Sequence, residues 1–138
     1  GLAGCIFGLG SFTLIYAKGY SYLTDDPAAC ANCHVMSGVY TAWSRGSHRA
    51  VAVCNDCHVP HDNIVSKYFV KALNGFNHSV AFTTGNFHEP IQATSLNREV
   101  ALHNCINCHA DVTAMINHTG YEETADCLFC HARVGHDE

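Results

Sequence analysis

The chain is 138 residues long and carries 7 Lys+Arg against 12 Asp+Glu, for a formal net charge of −5. That length suits one domain. No basic residues cluster, which argues against a nucleic-acid partner, and so few cations leave little from which to build a patch for anionic partners.

Residues 1–17 hold no charged side chain. At helical rise they span about 26 Å, slightly under the ~30 Å hydrocarbon thickness of a bilayer. Lys18 can snorkel, and Tyr16, Tyr20 and Tyr22 can form an interfacial belt. Gly4, Gly8 and Gly10 permit close helix packing. The sequence does not open on Met, so this helix is expected to begin upstream of residue 1. A cleaved signal peptide is the competing reading, and no Ala-x-Ala site follows to favour it. The expectation is a single transmembrane anchor helix over residues 1–23, in which Cys5 serves as a small apolar residue.

Asp25-Asp26-Pro27 closes that segment, and Cys30-Ala31-Asn32-Cys33-His34 follows almost at once. The same pattern returns at Cys54-Asn55-Asp56-Cys57-His58, Cys105-Ile106-Asn107-Cys108-His109 and Cys127-Leu128-Phe129-Cys130-His131. Cys-x-x-Cys-His reads as a c-type haem attachment site. The two thiols add to the vinyl groups on one edge of the porphyrin, and the two intervening residues set that span. The following histidine lies under the ring and binds iron through an imidazole nitrogen. One copy is compatible with half of a zinc site. Four copies that use every cysteine but one are not, since zinc pairs Cys-x-x-Cys units without a histidine after each, and pairs so local cannot staple a fold as disulfides. The reading is four covalently bound haem c groups.

Four porphyrins would supply much of the apolar interior, of which the chain itself is short. The fold is therefore expected to be mainly α with much irregular structure, little sheet and short helices between haems. Covalent haem attachment occurs outside the cytoplasm, so residues 24–138 are expected to form a compact tetrahaem domain in the periplasm, tethered to the cytoplasmic membrane. The connection from the anchor is so short that the first haem must lie near the membrane surface.

His34 and His58 are close in sequence, His58 and His109 far apart, and His109 and His131 close again. This pattern suggests duplication of a two-haem unit. The long gap holds a candidate helix over about residues 64–82. Lys67, Lys71, Asn74 and His78 follow the helical period and share one face, while Phe69, Val70, Leu73, Phe76 and Val80 cover much of the rest. Gly75 interrupts the pattern. Two placements are open: at the membrane interface, or packed on haem with a solvated polar stripe.

Each iron has a second axial position. Two histidines make a low-spin electron carrier, methionine raises the potential, and an open position allows chemistry. The spare histidines are His48, His61, His78, His88, His103, His118 and His136. His48 is too near Cys54, and His136 too near His131, to wrap round the neighbouring porphyrin, so each fits a different haem better. His103 and His118 are more readily propionate partners or surface residues. Met36, two residues beyond His34, can reach the same iron, so that His34 and Met36 compete for one position or Met36 merely packs on the ring.

These residues resemble the NapC/NirT/NrfH family of membrane-anchored tetrahaem quinol dehydrogenases. The resemblance covers essentially the whole chain: one anchor, a first site of form Cys-x-x-Cys-His-x-Met, Cys54 to His58 followed by Val59-Pro60-His61, a long gap and two late sites. The compact spacings and short C-terminus are most similar to the NrfH branch. The resemblance implies that the chain oxidises menaquinol and feeds a periplasmic pentahaem, ammonia-forming nitrite reductase. It implies that Met36 ligates the first haem and leaves the other face toward a quinol pocket lined by Lys71. It further implies His136 as the distal partner of His109 on the third haem, and His48 as that of His131 on the fourth. The second haem, with His58, takes a lysine from the partner in some relatives. Where relatives carry an aspartate this chain has His78, whose ordinary pKa near about 6.5 suits a proton acceptor, while Lys71 binds the quinol oxygen. Two other classes predict different behaviour. An electron wire without a quinol site has four six-coordinate haems, and a small-molecule reductase turns over alone at an open haem. Within the family, a different periplasmic reductase is the alternative partner.

Overall fold

The computed structural model describes residues 1–117 and 126–136, and these form helices and irregular chain with no strand. Helix α1 (Leu2–Tyr16) is apolar on every side and buries none of its residues, leaving Leu2, Ile6, Phe7, Phe12 and Ile15 exposed. A helix with no polar face has no side suited to water. It runs only 15 residues. Among the described residues no helix is long and apolar enough to cross a membrane, so the expected spanning helix is not seen as such. The helix stops because Lys18 turns into the left-handed region at φ 52° and its N–H bonds back to Ile15 O at 3.0 Å. Gly19 follows where any Cβ would run into Leu14. Lys18 is exposed, and its Nζ donates to Asn32 Oδ1 at 3.3 Å, inside the first cysteine motif.

A 3₁₀ turn over Gly19–Leu23 leads to α2 (Pro27–Cys30). Asp26 caps α2 by accepting from Ala28 N–H at 2.9 Å, and Pro27 starts it where no N–H is needed. After α3 (Ser37–Arg45), Trp43 Nε1 donates to Ala52 O at 3.2 Å and ties down the turn that carries His48. Helix α4 (Cys54–His58) is the second motif itself, and Asp56 accepts from the Val53 N–H at 2.7 Å to hold its start.

Helix α5 (Ile64–Thr84) fills the long gap, two residues beyond the expected end. Asn63 caps it through Ser66 N–H at 2.8 Å, and Gly85 closes it at φ 66°. Gly75 does not break it, and the Tyr22 ring lies over this point of the helix, 3.5 Å from where a Gly75 Cβ would be. Helix α6 (Ser95–Cys108), capped by Thr94, ends on the third motif. Helix α7 (Ala110–Asn117) follows, and α8 (Cys127–Cys130), capped by Asp126 through Leu128 N–H at 3.0 Å, carries the fourth motif.

Protein atoms alone make a very small core. Among the described residues Val59, Pro60 and Val70 are buried, together with the polar Lys71 and Asn104. A chain of this length needs far more burial than that to be stable. Helix α2 packs on α4, α4 on α6 and α6 on α8, while α5 lies against the turn at Gly19–Leu23. Asn104 joins α6 to α4 by donating from Nδ2 to Cys57 O at 3.1 Å and Val59 O at 2.8 Å.

Candidate functional site

The second and fourth cysteine pairs lie on the short helices α4 and α8, the third ends the longer α6, and Cys30 ends α2 with Cys33 just beyond it; the four motifs adjoin one another in chain order. The Cys30 and Cys54 thiols are hydrogen-bonded, which acidifies Cys30 and pushes Cys54 up. Burial, and then the nearby Cys105, Asp56 and Cys108, raise the Cys57 thiol. Burial and then Cys127 raise Cys105. These shifts belong to free thiols and vanish in a thioether. Their value is positional: the first motif abuts the second, the second the third, and the third the fourth.

Two pairs of imidazoles face each other across these junctions. His58 and His136 have ring centroids 6.2 Å apart and planes 7° from parallel. His48 and His109 are also 6.2 Å apart, with planes at 74°. A metal–imidazole bond is about 2.0 Å long and the bonded nitrogen lies about 1.2 Å from the ring centre, so two imidazoles on opposite sides of one iron have centroids about 6.4 Å apart. The residues thus fit axial coordination of a haem between each pair. Beside His136 a cleft of 630 Å³ opens between α3 and the C-terminal turn, lined in part by Arg45, Gly46, Arg133 and Gly135. Its size is that of a cofactor pocket, and its two guanidinium groups suit propionates.

This is not the pairing that the resemblance implies. His136 lies against His58 rather than His109, and His48 lies against His109 rather than His131. The reason is the packing order: the C-terminal turn folds back toward Gly46 and α4, so that Gly135 O comes within 3.7 Å of where a Gly46 Cβ would be. Among the described residues no second imidazole stacks on the exposed His131. In the 3₁₀ turn His34–Met36, successive side chains are about 120° apart, so His34 and Met36 do not share a side. Met36 is half-buried and His34 exposed.

The polar stripe of α5 turns toward protein, most deeply at Lys71, while His78 remains partly open to water. Lys71 is only 6% exposed, with Nζ donating to Asp25 Oδ1 at 2.7 Å and Thr24 O at 3.0 Å. Lys67 donates to Asp25 Oδ2 at 2.9 Å. Asn74 exchanges hydrogen bonds with Asn97 of α6 at 3.1 Å. His78 Nδ1 is hydrogen-bonded to the Tyr22 hydroxyl at 2.9 Å. Lys71 first, then Lys67 and Asn55, hold the Asp25 carboxyl far below the usual carboxylate range, and Asp25 in turn raises Lys67. Desolvation by the surrounding groups lowers His78, although part of its ring remains exposed. The outer face of the same helix exposes Ile64, Val65, Phe69, Phe76 and Phe82. Its amphipathicity is inverted relative to a helix in water.

The other histidines take local roles. His61 Nε2 lies 3.2 Å from Asp56 O of its own motif, and His103 accepts from Asn107 at 3.2 Å. His88 is exposed, and His118 lies outside the described residues. Sequence reasoning passed over Asp25, Tyr22 and Asn55 as site residues. Asp25 looked like a boundary marker and Tyr22 like part of an interfacial belt, and no local spacing links either to α5.

A family model described as the NapC/NirT cytochrome c family, N-terminal region, matches residues 1–138. The "Cytochrome c-type protein NrfH" of Wolinella succinogenes is 39% identical over 140 residues, covering 94% of this chain and 78% of the relative. The "Cytochrome c nitrite reductase subunit NrfH" of Nitratidesulfovibrio vulgaris is 31% identical over 135 residues, covering 98% and 81%. A crystal structure of a cytochrome c nitrite reductase NrfHA complex bound to the HQNO inhibitor holds a similar chain, with a TM-score of 0.70, 29% identity and coverage of 97% and 89%.

Proposed function

The chain belongs to the NapC/NirT cytochrome c family and carries covalently bound haem c, and from that premise we propose that it is a membrane-anchored tetrahaem quinol dehydrogenase. It oxidises menaquinol and passes the electrons to a periplasmic multihaem reductase, the ammonia-forming cytochrome c nitrite reductase. The observation that carries this reading is the run of four Cys-x-x-Cys-His motifs adjoining in chain order, which starts beside the buried Lys71 and ends on an exposed fourth motif. The two NrfH relatives and the inhibitor-bound NrfHA complex support it.

In this reading the eight motif cysteines hold four haems. Met36 would hold the first haem, His58 and His136 the second, His109 and His48 the third, and His131 the fourth. Haems held there would supply one-electron transfer along the chain of motifs. The protein's own groups do the rest. Quinol oxidation removes two electrons and two protons from a pair of hydroxyls. Two of the three Lys71 N–H bonds are engaged by Asp25 and Thr24, which leaves one to hold a quinol oxygen as negative charge develops on it. His78 accepts a proton at Nε2 in the tautomer whose Nδ1–H donates to Tyr22. Its lowered pKa keeps the ring neutral at neutral pH, and so able to accept. The exposed part of the ring passes the proton to water.

Residues 1–23 anchor the chain as a single pass, and residues 24–138 form the periplasmic tetrahaem domain. The bare apolar surface of α1 and the outer face of α5 suit lipid better than water, while both lysines of α5 point inward. Purified protein should be reduced by a menaquinol analogue. Replacing Lys71 with Met and His78 with Leu together should leave four haems by pyridine haemochrome and slow quinol oxidation by about 100-fold or more. A wild-type rate in that double variant would eliminate the pocket.

A further inference from the structure

We infer that Asp25 is the residue that positions Lys71 for the quinol, an inference that rests on the quinol-oxidising reading above. Lys67 and Lys71 lie one helical turn apart, a spacing at which two ammonium groups repel. Asp25 takes one on each carboxylate oxygen, at 2.9 Å and 2.7 Å. The carboxylate is itself fixed from a third direction. Asn55, inside the second Cys-x-x-Cys-His motif, donates from Nδ2 to Asp25 Oδ1 at 2.7 Å and to Thr24 O at 3.2 Å.

The consequence falls on one bond vector. An ammonium on a four-carbon stem rotates freely and swings between rotamers. Here Asp25 Oδ1 and Thr24 O claim two of the three Lys71 N–H groups at fixed points, and the Tyr68 ring lies 5.9 Å from Nζ. Only the direction of the third N–H is left to a substrate, and two acceptors determine it. Remove the carboxylate charge and only neutral acceptors remain; they fix the third N–H less firmly, and the repulsion from Lys67 is no longer offset. Asp25 touches no quinol, so it is a positioning residue. It also ties the donor on α5 to the backbone between the anchor and the first cysteine motif, and through Asn55 to the second.

The test measures binding of a quinoline N-oxide to the haem-loaded full chain in detergent, by quenching of the analogue's fluorescence, in a double-mutant cycle of Asp25→Asn and Lys71→Gln. Pyridine haemochrome and dithionite reduction report haem loading in each variant. Asp25→Asn should weaken binding by about 10- to 100-fold, the range of a hydrogen bond to a charged group, and should cost little more in the Lys71→Gln background. Unchanged binding in Asp25→Asn, or an equal loss in both backgrounds, overturns the inference. Asp25→Glu keeps the charge but displaces it by one methylene, and serves if Asp25→Asn does not load its haems. A several-fold weaker affinity is expected for it, and wild-type affinity overturns the inference. A wild-type chain that neither binds the analogue nor oxidises quinol overturns the functional reading instead, an outcome read before any variant is compared.

Discussion

The two imidazole pairs make a spectroscopic prediction that can be worked from the ring geometry. Each axial imidazole donates π density in the direction normal to its plane, and so raises one of two otherwise equal iron d orbitals. With planes 7° apart, as for His58 and His136, both ligands raise the same orbital and the two separate. That haem should give an ordinary rhombic low-spin EPR signal. With planes at 74°, as for His48 and His109, the ligands raise one orbital each and the two stay nearly equal. That haem should give the highly anisotropic signal with a large maximum g value. Replacing His136 with Ala should then delete the rhombic signal and move about one haem in four to high spin, since an iron without its sixth ligand is five-coordinate. His48→Ala should delete the large-g signal and spare the rhombic one. The assay is X-band EPR of the oxidised protein near liquid-helium temperature, with haem content measured in parallel. If His136→Ala removes the large-g signal, or leaves both in place, the pairing of His136 with His58 is wrong, and the pairing implied by family resemblance regains its standing.

Other consequences are open to simpler measurements. Desolvation lowers His78, so its ability to accept a proton persists as pH falls through the ordinary histidine range and is lost only below it. The acid limb of kcat/KM for quinol oxidation should therefore lie below about pH 6.5; His78→Asn should flatten that limb, and an acid limb above pH 6.5 would remove His78 from the role. Asn104 is the buried side chain that joins the second and third motifs through Cys57 O and Val59 O. Asn104→Leu should leave the buried Val59 carbonyl and the half-buried Cys57 carbonyl without this donor and cost about 2–3 kcal/mol, read as a thermal midpoint lowered by about 5–10 °C; a midpoint unchanged within a degree would mean that α4 and α6 are held by other contacts.

That the chain binds haem c, as its family does, could be read from the sequence because the chemistry of attachment is local. Two thiols and an imidazole must meet one porphyrin within five consecutive residues, and Cys30 to His34, Cys54 to His58, Cys105 to His109 and Cys127 to His131 each do so without help from the rest of the chain. The helix over the long gap was legible for a similar reason, since its period is a property of neighbouring residues. The far side of each iron was not. A distal ligand arrives from elsewhere in the chain, and sequence spacing can only exclude the nearest haem, as it did for His48 and His136. Which remaining haem each one meets depends on the packing of α2, α4, α6 and α8 and on the C-terminal turn folding back toward α4. The direction of the α5 stripe was undetermined for the same reason. Lys67, Lys71, Asn74 and His78 had to share a face, but periodicity does not say what that face meets. Tertiary structure brought Tyr22 and Asp25 against it, because a buried ammonium needs a carboxylate and a turn between α1 and α2 supplies one.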